Sequence, residues 1–143
     1  MFEITLKMIS PTPQENDIDN ELIEILSSIG YLPETKGNDK NEIKNSVPFK
    51  LFKDCFINNP NKYWTPEEMI TFLNTTRPTV YRHLNKLKSL DLLEELNEGR
   101  TKYYRLRNGS FLAAWNFVEA NVRIALQNYR KRIEYIENRK GGI

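Results

Sequence analysis

The sequence predicts a mainly α chain with one small β-hairpin, an α+β fold that ends in a long helix. Three stretches carry that prediction. In TTRPTVYRHLNKLKSLDLLEEL, Thr75 to Leu96, the residues Val80, Leu84, Leu87 and Leu90 follow one another at steps of four, three and three. That is one apolar stripe on an amphipathic helix. In NEGRTKYYRL, Asn97 to Leu106, a turn-forming cluster precedes a β-rich run. Beyond Ser110, the residues Phe111, Trp115, Val118, Val122, Ala125 and Tyr129 alternate steps of four and three, the seam of a long coiled-coil-like helix.

The bounds are those of an ordinary globular chain. Its 143 residues, 39% hydrophobic and 28% charged, suit one domain with an appended element and argue against disorder. No apolar run approaches the roughly 18 residues of a membrane span. The opening MFEITLKMIS has no basic segment followed by an apolar one, so no signal peptide is read and a cytoplasmic location is expected. A single cysteine, Cys55, allows no internal disulfide, and with His83 as the one histidine a Cys/His zinc site within one subunit is not expected. No metal and no cofactor are therefore predicted.

Taken in order, three regions are expected: 1–46, 47–107 and 108–143. In the first, FEITLKMI alternates Phe2, Ile4, Leu6 and Met8 with polar residues, a strand signal. Two prolines in SPTPQEN break it. Asp17 or Asp19 caps a helix with Leu22, Ile23, Leu26 and Ile29 on its buried side, ending near Gly30. Residues 33–46, PETKGNDKNEIKNS, show no apolar period and read as a loop.

The second region opens with VPFKLFKDCFINNP, a helix with Val47, Leu51, Cys55, Phe52 and Phe56 on one face. Cys55 reads there as a small core residue. Thr65-Pro66-Glu67-Glu68 announces the next helix, with threonine as cap, proline in the first turn and Glu68 closing a capping box. Met69, Ile70, Leu73 and Phe72 form its apolar side. Thr76 then caps a helix over about Arg77–Leu90. Opposite the stripe of that helix lie Pro78, Arg82, Asn85 and Ser89, flanked by Tyr81 and Lys86. Leu92–Leu96 and Thr101–Leu106 pair as a hairpin about the turn Asn97–Arg100.

Charge is distributed unevenly. Residues 1–49 hold four Lys/Arg against nine Asp/Glu, whereas residues 76–107 hold eight against four. Four cations and no acid fall between Arg77 and Ser89. An acidic front and a basic rear point to an anionic partner for the rear. A basic helix after a capped helix and a tight turn fits a groove about 12 Å wide. DNA, with a phosphate about every 3.4 Å along a strand, demands such a surface. A solvated basic face is the plainer reading of the same residues.

The segment Phe49 to Leu106, about 58 of the 143 residues, resembles winged helix-turn-helix transcription regulators, the ArsR-like and TrmB-like proteins of archaea and bacteria. The resemblance rests on TPEEMITFLNTTRPTVYRHLNKLKSLDLLEEL followed by NEGRTKYYRL. It implies a recognition helix, a hairpin wing and a C-terminal dimerisation helix. The clustered Cys or His ligands of metal-sensing relatives are missing, so metal sensing is not expected, nor is the large sugar-binding domain that TrmB-like proteins often carry after the coiled coil. Carried onto this sequence, the resemblance assigns Pro78, Tyr81, Arg82 and Asn85 to bases. Arg82 suits a guanine edge and Asn85 an adenine edge. It assigns Thr65, Thr76, Arg77, Thr79, Lys86, Arg100 and Lys102 to phosphates. By its charges alone the hairpin, with Arg100, Lys102 and Arg105, can reach adjacent phosphates or the minor groove, and the helix starts at Thr65 and Thr76 offer backbone donors.

Double-stranded DNA and a second copy of the chain are thus the expected partners. The seam Phe111, Trp115, Val118, Val122, Ala125 and Tyr129 either packs inside the subunit or pairs two subunits, and the dimer is favoured because the seam outlasts so small a body. His83 reads as a packed residue, and Tyr103 and Tyr104 as a cross-strand pair. Arg130-Lys131-Arg132 is either a second basic patch or solvated charge. The front region is open to three readings: exchange into a partner, cover for the core, or recruitment of another protein. Against the DNA-binding regulator stands a winged-helix protein-interaction module. An enzyme is not expected, because no phosphate loop, Ser/His/Asp grouping or suitably spaced carboxylate pair is present.

Overall fold

The computed structural model describes residues 1–14, 16–34 and 40–141. Six α-helices and one antiparallel hairpin follow in order: α1 (Ile18–Ser28), α2 (Lys40–Lys44), α3 (Val47–Lys50), α4 (Pro66–Leu73), α5 (Arg77–Ser89), β1 (Leu93–Glu98), β2 (Thr101–Leu106) and α6 (Phe111–Gly141). Between α3 and α4 the chain continues as a π-helix, Leu51–Ile57. The chain is mainly helical, as expected, with the small sheet and the long last helix in their predicted places.

The sheet pairs Leu93 with Leu106 and Glu98 with Thr101. Its reversal is therefore the tight turn Gly99-Arg100, with Gly99 at φ +62°, a conformation that glycine adopts without a Cβ penalty. Trp64 adds one isolated bridge to Tyr104. Both backbone bonds are made, Trp64 N–H to Tyr104 C=O at 2.8 Å and the reverse at 2.7 Å.

One cluster of buried residues runs from Leu22 to Val118, so the three regions read from the sequence share a core. Tyr31 sits at the junction. Its ring is 6.0 Å from Phe52 and 6.4 Å from His83, and its hydroxyl donates to the Pro48 carbonyl at 2.7 Å. Leu51, Phe52, Cys55 and Phe56 of the π-helix are all fully buried. Its wide register leaves carbonyls that other groups satisfy. Asn58 N–H donates to Lys53 C=O at 2.9 Å, Asn59 Nδ2 to Asp54 C=O at 2.8 Å, and Trp64 Nε1 to Cys55 C=O at 2.8 Å. Cys55 is a core residue, and burial pushes its thiol up to about 12.

Two local expectations are corrected. Residues 2–9 run extended but form no strand. Phe2 and Ile4 do pack against the core, yet the backbone donors go to helix ends: Glu3 N–H to Ser89 C=O at 2.9 Å, Thr5 N–H to Ile29 C=O at 3.2 Å and Lys7 N–H to Ser28 C=O at 3.2 Å. The orphan carbonyls at the ends of α5 and α1 outcompete a sheet edge. The segment read as a loop, 33–46, contains α2, whose Ile43 is buried. One apolar residue gives no period to read. Residues 35–39 of that segment lie outside the described residues.

The seam of α6 divides in two. Ala114 and Val118 are fully buried, and Phe111, Trp115 and Val122 pack partly against the same core. This first half, predicted as dimer contact, instead closes the body of its own chain. Val118 in particular has no surface left for a partner. Beyond Arg123 the helix is exposed, with Tyr129 at 66% and Ile133 at 58% of their surface free.

Candidate nucleic-acid interface

The site is built from the end of α4, the turn Asn74–Thr76, α5 and the hairpin. Thr65 caps α4. Its hydroxyl accepts from Glu68 N–H at 3.1 Å, and the Glu68 carboxylate accepts from Thr65 N–H at 3.0 Å, completing the predicted capping box. Those bonds, together with Lys62, hold the Glu68 carboxyl below its usual range. Asn74 ends the helix in the left-handed conformation at φ 50°, which asparagine tolerates well.

Three residues later α5 begins, and its start is different. Thr76 occupies the cap position but makes no side-chain bond to the helix backbone. Its hydroxyl instead meets that of Thr79 at 2.9 Å. Pro78 contributes no N–H, and the first turn holds no acid. The amides of Arg77 and Thr79 are thus left without a capping side chain at the positive end of the helix dipole. The predicted backbone donors are present at Thr76. At Thr65 the amides of Thr65 and Glu68 are bonded within the capping box.

The stripe Val80, Leu84, Leu87 and Leu90 is buried, as its spacing requires. Tyr81, Asn85 and Lys88 face the hairpin across a cleft of about 510 Å³, which Arg100, Thr101, Lys102 and Glu67 also line. Pro78, Arg82 and Lys86 are exposed and do not line that cleft. Of the four candidate base-facing residues, Tyr81 and Asn85 line the cleft and Pro78 and Arg82 do not, although all four fall within about 100° of helical arc. Lys86 borders a smaller cavity of about 120 Å³ with Glu3 and Ser89, where the N-terminal segment crosses the end of α5.

Ion pairs sort the cations. Arg77 bonds Glu67 at 2.8 Å and stands 5.8 Å from the Tyr81 ring. Lys88 lies 3.6 Å from Glu95. Both pairs are exposed, so each holds its cation only weakly. Partial burial works against ionisation of Glu95, but the Tyr104 hydroxyl, Lys102 and Lys88 outweigh it and keep the carboxyl below its usual range. Among the described residues, Arg82, Lys86, Arg100 and Lys102 make no ion pair.

Arg105 does not join them. It is half-buried, bonds Glu94 at 2.9 Å and lies 4.5 Å over the Tyr63 ring. It braces the hairpin, and its expected phosphate contact is withdrawn. Arg107 is likewise structural: it donates to the carbonyls of Asp91 at 3.3 Å and Leu93 at 3.1 Å and lies 4.0 Å over Phe117. Lys88 is the cleft residue that sequence reasoning missed. It lies three positions after Asn85, on the same helical face, and that spacing was the available signal.

His83 is buried within α5, and its Nδ1 finds no hydrogen-bond partner among the described residues. Burial, then the charges of Arg82 and Lys86, lower its pKa to about 4. The packed histidine expected from the sequence is what the fold contains. Among the described residues no group of His, Cys, Asp or Glu could hold a metal ion, and no helix is long and apolar enough to cross a membrane. No protein-family model matches the chain, and no curated protein shows significant similarity to it.

Proposed function

We propose that the chain is a sequence-specific DNA-binding transcriptional regulator of winged helix-turn-helix type, acting in the cytoplasm as a homodimer on operator or promoter DNA. α5 enters the major groove and the β1–β2 hairpin rests on the backbone as the wing. One observation carries this reading: a helix without a single acid, its first amides free of any capping side chain, flanks a hairpin that presents Arg100 and Lys102. Arg82, Lys86, Arg100 and Lys102 hold no acid in an ion pair among the described residues, so neutralising phosphates with them breaks no internal bond. Arg82 and Asn85 have the side-chain geometry for base edges. Pro78 and Tyr81 lie beside them. Thr76, Thr79 and Arg77 gather at the helix start, where phosphate is favoured.

The test is fluorescence anisotropy of the full chain at about 50 and 200 mM salt against duplex DNA from upstream of its own gene and against a scrambled duplex. Tighter binding to the upstream duplex, with a steep loss of affinity between the two salts, supports the regulator. Weak and equal binding to both duplexes supports instead a winged-helix protein-interaction module, a reading that the exposed apolar residues of α6 favour.

A further inference from the structure

Two unpartnered apolar surfaces lie at opposite ends of α6. The first is a groove of about 570 Å³ formed by Leu6, Lys7 and Ile9 of the N-terminal segment, Ile25 and Ile29 of α1, and Phe111, Leu112 and Trp115 of α6, with Lys7 paired to Glu34. The second is the stripe Leu126, Tyr129, Ile133 and Ile136, at steps of three, four and three, with each residue more than half exposed. Large apolar surface left in water is costly and marks an interface. The two surfaces cannot meet within one chain. α6 is an unbroken helix from Phe111 to Gly141, and Leu112 and Ile133 lie roughly 32 Å apart along it at 1.5 Å per residue.

We infer that the stripe of one chain fills the groove of a second copy, so that two α6 helices run antiparallel and each groove is completed by the partner. This rests on the homodimer half of the proposed function and names its surface. An isologous pair makes the contact twice, once from each chain. Charge selects the orientation. Residues 123–141 carry six Lys/Arg against two Asp/Glu, while residues 1–49 carry four against nine. Antiparallel pairing lays the basic end of one helix along the acidic front of the other chain. Parallel pairing would set Arg130, Lys131 and Arg132 against their own copies and leave the groove open to water. The turn in spacing at Val122 fits this arrangement. There the exposed stripe departs from the seam, running through Leu126 where the seam runs through Ala125, so that Val118, Val122 and Leu126 stand at two successive steps of four. That spacing unwinds a coiled coil locally where the helix leaves its own body and meets the partner's.

The experiment is disulfide trapping in the full chain under mild oxidation, with Leu112→Cys and Ile133→Cys made singly and then mixed. Both positions are exposed, at 74% and 58%, so the substitutions leave the core alone. Cys55 is fully buried and stays as an inert background. The expected result is a cross-linked dimer from the mixture and none from either variant alone, since bridged Cα atoms must come within about 7 Å. Self-cross-linking of Ile133→Cys alone would show a parallel coil and overturn the proposal. So would a monomer by light scattering, or a dimer that no combination traps. A second variant, Leu112→Lys, sets like charge against the basic stripe and is expected to dissociate the dimer with an unchanged circular dichroism spectrum. An intact Leu112→Lys dimer overturns the assignment. No DNA is present in either assay. Measured separately on duplex DNA, a trapped dimer that does not bind would remove only the DNA-binding reading. A dimer that binds but is not trapped by Leu112→Cys with Ile133→Cys would remove only this inference, and a monomer would remove both this inference and the homodimer on which it rests.

Discussion

Asn121 of α6 donates its side-chain amide to the Asp91 carboxylate at 2.7 Å. Asp91 is the residue at which the chain leaves α5, and it stands in the left-handed conformation at φ 61°. The long helix is thereby fastened to the end of the basic helix, next to the carbonyls that Arg107 engages. Asn121→Ala is expected to lower unfolding free energy by about 1.5–3 kcal/mol, the usual scale for a hydrogen bond to a charged acceptor. Urea unfolding measures it. A double-mutant cycle with Asp91→Asn should return a coupling of at least about 0.5 kcal/mol. Strict additivity would mean that the two residues do not support one another.

His83 predicts a pH dependence. Its folded pKa of about 4 lies below the ordinary value of 6.5, because burial and then Arg82 and Lys86 disfavour the cation. The unfolded chain therefore binds the proton more readily than the folded one. The stability tied to neutral His83 is fully present above pH 6.5 and is lost as pH falls from there toward 4. The loss is on the order of 3 kcal/mol at the lower limit. His83→Phe removes the titration along with the unpaired Nδ1. The difference in stability between the two proteins should grow steadily as pH falls through that window. A constant difference from pH 7 to 4 would refute the assignment.

Local signals were readable in this chain, and pairings between distant segments were not. The α5 stripe, the Thr65–Glu68 box and the hairpin rest on residues within a few positions of each other, and each appears where its spacing puts it. The alternation of residues 2–9 turned Phe2 and Ile4 inward as read, but Leu6 and Met8, on the same face by that reading, are exposed. Which acceptors its amides would find depended on the helix ends at Ile29 and Ser89, and no period encodes that. The π-helix depends likewise on Trp64 reaching the Cys55 carbonyl. At the site, Tyr81, Asn85, Arg100 and Lys102 converge on one cleft because helix periodicity and hairpin register are both local. Arg105 was misjudged because Glu94 and Tyr63, its partners, come from β1 and from the segment before α4.

The two threonine caps are expected to separate stability from the proposed DNA binding. Thr65 closes a capping box, and Thr76 makes no side-chain bond to its helix backbone. Thr65→Ala should therefore cost about 0.5–2 kcal/mol of stability, measured by urea unfolding, and leave affinity for duplex DNA nearly unchanged once the protein is folded. Thr76→Ala should leave stability within about 0.5 kcal/mol and weaken binding to every duplex. Equal destabilisation by the two would contradict the difference in capping.

Arg82 and Lys102 carry different tasks on the proposed interface, and salt distinguishes them. Arg82 is exposed on α5 outside the cleft lining, and Lys102 of β2 lines the cleft. Neither holds an acid in an ion pair among the described residues, so removing either charge disturbs little within the fold. A base contact is short-ranged and depends on which edge it meets. Arg82→Ala should thus cost about 1–3 kcal/mol on the preferred duplex, with much less effect on a scrambled one. A phosphate contact acts alike on all sequences and releases one counterion. Lys102→Ala should weaken both duplexes equally and lower the slope of log affinity against log salt by about 1. Anisotropy titrations of both variants at several salt concentrations decide the matter. If Arg82→Ala weakens the preferred and scrambled duplexes equally, Arg82 is a phosphate contact, and base reading passes to the cleft-lining Asn85.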